Sequence, residues 1–597
     1  MPYLSARSEE AHMVLNDIRT AAPGLTVTTL ILALFPVAVV LYILLLFDVA
    51  LPGRSFATLA GITLLMLVLI GARAFFIGLR HNMLVLLGDM VAARLSPRMA
   101  QTGLRAFAPV GDDDPAPGDM DAIQLFLKSG AGAAWLDAVG LTIALLVMLM
   151  LHPLLALALA LGVSLSALLL FRTMKGSERA ARDLRPVDRR RDAAFEIGQM
   201  HGASLRALGM SGTLATLWRF ASDRVLAIGN ARQSAQTRGQ IAALSLQLVT
   251  MVLLLATGGW LHMHDRASEA VLLAAALLGW LAMAPLVRAA EYADQLIDAR
   301  LGWERIDALL SAAGPSAAEA IPLPPPTRTI SCENVALGEP GTNRALVRYV
   351  SFALSAGDVL AVIGRAGCGK SVLLRGLAGG WPLAEGKVRL DGAALDQWDA
   401  DLLGQHIGYM PQTIDLIDGS VADNIARFAQ AADPKQVVAA AQNCGAHDMI
   451  VRLPDGYNTR IGPQGHKLSL SQMQQVALAR AFYRDPFLLI LDAPTSHQDA
   501  TREQLFRQAV DHARARGAII IIAGAQNFLV GLASHVLLMR DGGTVAEFGT
   551  RDEVQERLEE RRKARTLADR RPDIGDNGTA GPQDDNNDND VAAEQTI

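Results

Sequence analysis

Gly364-Arg365-Ala366-Gly367-Cys368-Gly369-Lys370-Ser371 follows directly on the apolar run Leu360 to Ile363. This is the full pattern of a phosphate-binding loop between a strand and a helix. Its glycines let backbone N–H groups turn toward phosphate oxygens, Lys370 reaches the β- and γ-phosphates, and Ser371 ligates Mg²⁺ at the helix N-terminus. The chemistry it offers is nucleoside triphosphate binding. Cys368 either carries a redox-sensitive thiolate beside that helix terminus or fills a variable loop position.

Four further motifs follow in the order of an ATP-binding cassette, which this half of the chain resembles. Gln412, in Tyr409-Met410-Pro411-Gln412, is similar to the glutamine loop. Leu468-Ser469-Leu470-Ser471-Gln472 stands at the signature, Leu488 to Asp492 at the second nucleotide strand, and Asp499 at the D-loop. The resemblance implies a cofactor pair of ATP and Mg²⁺. Gln412 would sense the γ-phosphate and share the metal with Ser371, and Asp492 would orient it through water.

The departures from that pattern matter as much as the matches. A cassette of this kind carries a Glu after the strand aspartate to polarise the attacking water, and here the residue is Ala493. General bases contribute about 10²- to 10⁴-fold to rate. A switch His is expected after Ile519 to Ile522, where Gly524 stands instead. Two glycines normally follow the signature serine so that a partner's γ-phosphate can approach; Leu470 and Ser471 crowd that approach. The chain is expected to bind ATP and hydrolyse it poorly on its own.

The elements around these motifs are set by composition. Of 597 residues, 51% are hydrophobic and only 19% charged, and mean hydropathy is +0.27. Such values exclude a disordered chain and point to membrane spans. The net charge of −5 gives no reason to expect nucleic acid as a partner. Apolar runs at about Leu25–Leu51, Leu59–Leu79, Ala138–Leu151, Leu154–Phe171, Ile241–Leu261 and Val271–Leu286 predict six spans. Basic residues concentrate between Arg172 and Arg238, which predicts a cytoplasmic placement for that segment and for both termini.

The expected organisation is a cytoplasmic lead-in at 1–24, a six-helix membrane domain with long inner extensions at 25–311, and a Pro/Ala linker at 312–328. An α/β domain with a parallel sheet follows at 329–558, then a disordered charged tail at 559–597. The fold class is therefore an α-helical six-span domain fused to a phosphate-loop α/β cassette. The three cysteines, Cys332, Cys368 and Cys444, lie in the cytosolic half and are expected to be reduced.

Finer details resemble the permease/ATPase family of type I secretion systems, over roughly Leu25 to Leu558. They are Asp119-Met120-Asp121-Ala122 with Phe126-Leu127, the tight His152-Pro153 turn, Ala207-Leu208-Gly209-Met210, Ala299-Arg300 with Glu304-Arg305, and Leu453-Pro454-Asp455-Gly456-Tyr457. The resemblance implies the bacterial inner membrane, a polypeptide substrate, a membrane-fusion adaptor and an outer-membrane channel. It also implies head-to-tail pairing of cassettes, either as a homodimer or as a heterodimer with an intact paralogue. The first would leave a non-hydrolysing ATP-gated scaffold or regulator; the second, the degenerate half of an active transporter.

Elsewhere the sequence favours plain readings. His262-Met263-His264-Asp265 reads as a hydrated turn before a metal site, and Arg189-Arg190-Arg191 as a solvated helix face before a lipid contact. Asp48, and Ala138 to Thr142 after Asp137, depart from the family pattern along a translocation path.

Overall fold

A computed structural model of the chain describes residues 9–105, 117–312, 323–339, 344–462, 465–494, 500–524 and 527–569. It forms two compact units that part between residues 315 and 316.

The first unit is helical: α1 (Glu9–Leu45), α2 (Phe56–Arg105), α3 (Pro117–Lys128), α4 (Gly130–Leu136), α5 (Val139–Leu151), α6 (Pro153–Met200), α7 (Gly202–Ala207), α8 (Ser211–Met263), α9 (Glu269–Glu291) and α10 (Ala293–Ala312). Among the described residues six stretches are long and apolar enough to cross a membrane. The 50 residues of α2 reach about 75 Å at 1.5 Å each, more than twice a hydrocarbon core of about 30 Å. The long helices therefore extend well past the spans they contain.

Two expected boundaries change. Residues from Glu9 onward, read as a separate lead-in, are the first turns of α1, because Ala11 and Val14 bury against Leu84, Leu87 and Leu95 of α2. The third span cannot be Ala138–Leu151 alone: the 13 residues of α5 cover only about 20 Å. With α4 the stretch becomes Gly130–Leu151, of 22 residues.

Helix packing relies on small residues, as membrane helices require. A Cβ at Gly162 of α6 would lie 2.3 Å from Thr250 Oγ1 of α8, and one at Gly279 of α9 2.2 Å from Leu254 Cδ1 of α8. The His152-Pro153 turn is tight because His152 is extended (φ −166°) and its ring Nδ1 accepts from the N–H of Leu154 at 3.2 Å, with Pro153 at the first helical position. In the turn between α8 and α9, His262 Nδ1 and His264 Nδ1 pair with the carbonyl oxygens of Ala267 and Trp260 at 3.0 and 2.8 Å.

Two carboxylates, the buried Asp119 and the half-buried Asp137, tie the helices together. Asp137, between α4 and α5, accepts from Arg80 of α2 at 2.5 Å and Arg288 of α9 at 2.8 Å. Asp119 of α3 accepts from both terminal nitrogens of Arg185 of α6, at 2.7 and 2.8 Å, and from Arg305 of α10. Gly302 lets α10 come this close, since a Cβ there would stand 2.9 Å from the carbonyl oxygen of Asp119.

The second unit holds two main sheets. Strands β1 (Thr329–Gly338), β2 (Ala345–Ser355), β4 (Glu385–Leu390) and β5 (Ala393–Ala394) form an antiparallel sheet in the order β2-β1-β4-β5. The other sheet runs β12 (Val545–Thr550), β11 (His535–Met539), β3 (Val359–Gly364), β10 (Ile519–Ala523), β9 (Leu488–Asp492), β6 (Ile407–Met410), parallel except for β12. The single parallel sheet expected from sequence is thus joined by an antiparallel one, because short connections such as that between β1 and β2 return the chain antiparallel. Strand β7 (Gly419–Ser420) pairs with β8 (Arg460–Ile461).

Helices α11 (Lys370–Leu377), α12 (Ala400–His406), α13 (Val421–Ile425), α14 (Pro434–Asn443), α15 (His447–Val451), α16 (Leu470–Phe482), α17 (Ala500–Ala515) and α18 (Asn527–Leu532) complete the cassette unit with α19 (Arg551–Asp569). The last of these enters the segment expected to be a disordered tail, so residues Glu559 to Asp569 are helical; Arg557 and Arg561 both reach Glu547 of β12. The remainder of the expected tail lies outside the described residues.

Candidate nucleotide site

Strand β3 reads Val-Leu-Ala-Val-Ile because both of its faces are covered, and Val359 to Ile363 are all buried between β10 and β11. The chain leaves its carboxyl end into the phosphate loop, the edge at which open α/β sheets bind ligands. Gly367 (φ +86°) and Gly369 (φ +99°) take the left-handed backbone, which L-residues adopt at a cost. At Gly367 a Cβ would meet nothing within 4 Å, so conformation rather than crowding demands glycine there, and the cradle stays open.

Lys370 begins α11 and curls over this loop, its Nζ donating to the carbonyl oxygens of Gly364 and Arg365, both at 2.7 Å. Cys368 sits below, 1% exposed, with Sγ 3.8 Å from Nζ. Burial pushes its thiol upward, against the pull of Lys370. A neutral, covered thiol lacks the thiolate that the redox alternative requires. Arg365 forms a pair with Asp541 at 3.4 Å, and Ala366 lies between in the exposed bend.

Three oxygen donors converge beside the loop. Ser371 Oγ donates to Gln412 Oε1 at 3.3 Å. Asp492, at the end of β9, is buried, and desolvation holds its carboxyl above the ordinary range while Ser371, Lys370 and Arg375 draw it back. Hydroxyl, amide and carboxylate oxygens are the hard donors that suit Mg²⁺, and the left-handed glycines with Lys370 suit a polyphosphate. The residues present fit ATP and Mg²⁺.

Ala493 and Gly524, where the resemblance leads one to expect Glu and His, are neighbours. Ala493 follows Asp492 at φ +52°, and its N–H donates to the carbonyl oxygen of Ala523 at 2.9 Å, one residue before Gly524. Its methyl group offers no proton acceptor. At Gly524 a Cβ would stand 2.2 Å from Cδ1 of the buried Leu529, so a side chain there requires Leu529 to shift.

The signature residues do something local. Ser469 caps α16: its Oγ accepts from the N–H of Gln472 at 3.3 Å, and Gln472 Oε1 accepts from the N–H of Ser469 at 2.8 Å. Leu468 packs against the cassette core, Leu470 is half exposed at 51%, and Ser471 follows it in the first turn. Asp499 lies outside the described residues. Sequence reasoning missed Gln474, whose Nε2 donates to the carbonyl oxygens of Ala493 and Pro494, both at 3.2 Å. It also missed Arg375 beside Asp492; neither stands in a motif that spacing alone reveals.

Residues 347–496 match the family model for ABC transporters. The chain is 34% identical over 558 residues to the type I secretion system ATP-binding protein PrsD of Rhizobium meliloti (strain 1021), covering 92% of this chain and 94% of that one. The chain belongs to the family of type I secretion ATP-binding proteins.

As a member of that family it is an ABC transporter with an ATP-binding domain and six helices suited to span a membrane. The alpha-hemolysin translocation ATP-binding protein HlyB of Escherichia coli O157:H7 is 30% identical over 316 residues, 53% of this chain and 44% of HlyB. A solved bacterial Atm1-family ABC exporter with ATP bound matches the fold at a TM-score of 0.75 and 19% identity, over 92% of this chain and 99% of that one. The six-span domain and the α/β cassette expected from sequence are both present.

Proposed function

We propose that this type I secretion ABC transporter is the degenerate half of a polypeptide exporter in the bacterial inner membrane, with both termini and the cassette in the cytoplasm. It binds ATP and Mg²⁺ and turns ATP over poorly by itself. The observation that carries this reading is the adjacency of a complete phosphate and metal donor set, Lys370, Ser371, Gln412 and Asp492, to Ala493, where no general base stands.

Bound ATP would supply the triphosphate charge around which two cassettes close. Gly364 to Gly369 present backbone donors, Lys370 adds a cation, and Ser371, Gln412 and Asp492 offer oxygens for the metal, Asp492 through water. Ala493 cannot hold the proton that an attacking water must lose. Closure would pass through the long helices to the spans as alternating access. A paralogue with intact Glu, His and signature glycines would complete the exporter, with a membrane-fusion adaptor and an outer-membrane channel as further partners.

A second reading, a homodimeric non-hydrolysing scaffold or regulator gated by ATP, is favoured by the packing of Leu529 against Gly524. Base, switch and signature all depart on one chain, and self-pairing would leave both composite sites incomplete.

The test is to purify the chain in detergent with its native partners, identify them by mass spectrometry, and measure ATP binding and hydrolysis together. A stoichiometric paralogue whose own base is needed for turnover supports the first reading. A self-paired dimer that binds ATP without turnover supports the second. Brisk hydrolysis by the pure homodimer, unchanged by Ala493→Glu, overturns both.

A further inference from the structure

Helix α6 leaves the His152-Pro153 turn and carries its span toward the segment rich in basic residues. From Pro153 to Phe171 it rises about 27 Å, which brings Phe171 to the far edge of a hydrocarbon core of about 30 Å. Arg172 follows at that edge, with Lys175 about 5 Å and Arg179 about 10 Å beyond it. The headgroup layer is about 5–7 Å deep on each side, so Arg172 and Lys175 fall within it. One stripe joins these cations to the span. Leu161, Leu165 and Leu168 are exposed on α6 at spacings of four and three, and Arg172, Lys175 and Arg179, also exposed, continue at four, three and four. The side of α6 that packs on α8 is a different one, where Gly162 and Thr173 meet Thr250 and Gly239.

Lys175 turns back toward the apolar side. Its Nζ lies 4.5 Å from the centroid of the exposed Phe171 ring, so the ammonium is held at the edge of the core by a cation–π contact. Among the described residues Arg172, Lys175 and Arg179 form no ion pair, whereas the cations farther along α6 have acids of their own. Arg182 pairs with Glu178 at 3.0 Å, Arg185 with Asp119 at 2.7 Å, and Arg191 with Asp188 and Asp192, both at 2.8 Å. The first acid on the stripe is Asp183, one turn past Arg179 and away from the span. Charge is thus left without a counterion where the membrane surface lies. Setting the orientation of a span requires cations on one side of the membrane, but not cations in register with an exposed apolar stripe.

We propose that this stripe of α6 binds a phospholipid with an anionic headgroup. Leu161, Leu165 and Leu168 carry an acyl chain, and Arg172 and Lys175 hold the phosphate, the guanidinium by its paired donors and the ammonium as a point charge. Arg179 adds its charge at the outer side of the headgroup. A zwitterionic lipid brings its own cation to this place and gains less, and free phosphate offers the same oxygens without a chain for the leucines. That the lipid belongs to the cytoplasmic leaflet rests on the proposed topology; the stripe itself rests only on the span.

The full-length chain in detergent is titrated with dioctanoyl phosphatidylglycerol, dioctanoyl phosphatidylcholine or inorganic phosphate, and native mass spectrometry counts what each chain retains. The parent binds phosphatidylglycerol saturably and about 10-fold more tightly than either of the others. Arg172→Gln with Lys175→Gln weakens that binding about 30-fold, at about 5-fold for each cation near an anionic headgroup. Arg190→Gln with Arg219→Gln removes two exposed cations that stand about 27 Å or more farther along α6 and α8, and leaves affinity as in the parent. Equal binding of phosphatidylcholine, phosphate bound as tightly as the lipid, or an equal loss in the second pair of substitutions overturns the proposal. If the first pair does not fold, Phe171→Trp decides in its place. Its added fluorescence is expected to be quenched more by brominated phosphatidylglycerol than by brominated phosphatidylcholine, and equal quenching is contrary. Labelling of Arg179→Cys by a membrane-impermeant maleimide from outside intact spheroplasts refutes the topology instead, and leaves the lipid titration to be read by itself.

Discussion

The side-chain amide of Gln474 donates to the carbonyl oxygen of Ala493 at 3.2 Å, joining α16 to the residue that follows β9, where the proposed function has no general base. Ala493 already pays for a left-handed backbone, about 1–2 kcal/mol for an L-residue. Glu is unbranched at Cβ and pays no more. Ala493→Glu is therefore expected to melt as the parent does and to raise ATP turnover by about 10²-fold, the low end for a restored base. Phosphate release from the purified complex measures it; unchanged turnover would mean that the missing base is not what limits the rate.

Restoring the switch is expected to fail. Gly524→His drives a Cβ to 2.2 Å from Leu529 Cδ1, and overpacking of this kind costs about 1–3 kcal/mol. Thermal melting should show that loss, and Gly524→His with Leu529→Ala should recover part of it by opening space. A single variant as stable as the parent would show that Leu529 moves freely.

Asp119 neutralises Arg185 and Arg305 at once, with its side chain only 7% exposed and theirs 19%. Asp119→Ala leaves two guanidinium groups facing one another without their anion, which costs about 3–5 kcal/mol when a buried pair is broken. Melting of the detergent-purified chain is expected to fall accordingly, and Asp121→Ala, two residues on, to leave it near the parent. Equal melting of both variants would remove the clamp from the account.

Asp492 has a definite pH signature. Desolvation raises its folded pKa, so folding favours the protonated form. The stability this contributes is complete below the ordinary value near 4 and is lost as pH rises through the raised one. Metal binding needs the carboxylate, so Mg²⁺-dependent nucleotide binding should strengthen over the same rise. Binding titrations in a pH series rising from 4 follow the change, and Asp492→Asn should flatten it. A parent whose Mg²⁺ dependence is equal throughout the series would rule Asp492 out as the titrating group.

Much of the cassette was legible because its signals are local. Glycine spacing specifies left-handed turns at Gly367 and Gly369, and the all-apolar runs of β3, β9 and β10 specify strands covered on both faces. Boundaries were less legible. The early turns of α1 carry charges that resemble a loop until Ala11 and Val14 find α2, and the helical continuation past Leu558 is polar enough to pass for a tail.

The sequence by itself determined that this chain has six apolar stretches long enough to span a membrane and a phosphate loop, with Ala and not Glu after the aspartate of β9. Span length and loop conformation follow from residues within a few positions of one another. Only the tertiary structure decided that Asp119 serves two arginines, that Leu529 packs against Gly524, and that Arg427 gathers four carbonyl oxygens. The first and last of those relations join residues far apart in the chain. They arise when helix ends and strand ends with unsatisfied groups are packed side by side, and no spacing along the sequence encodes that meeting.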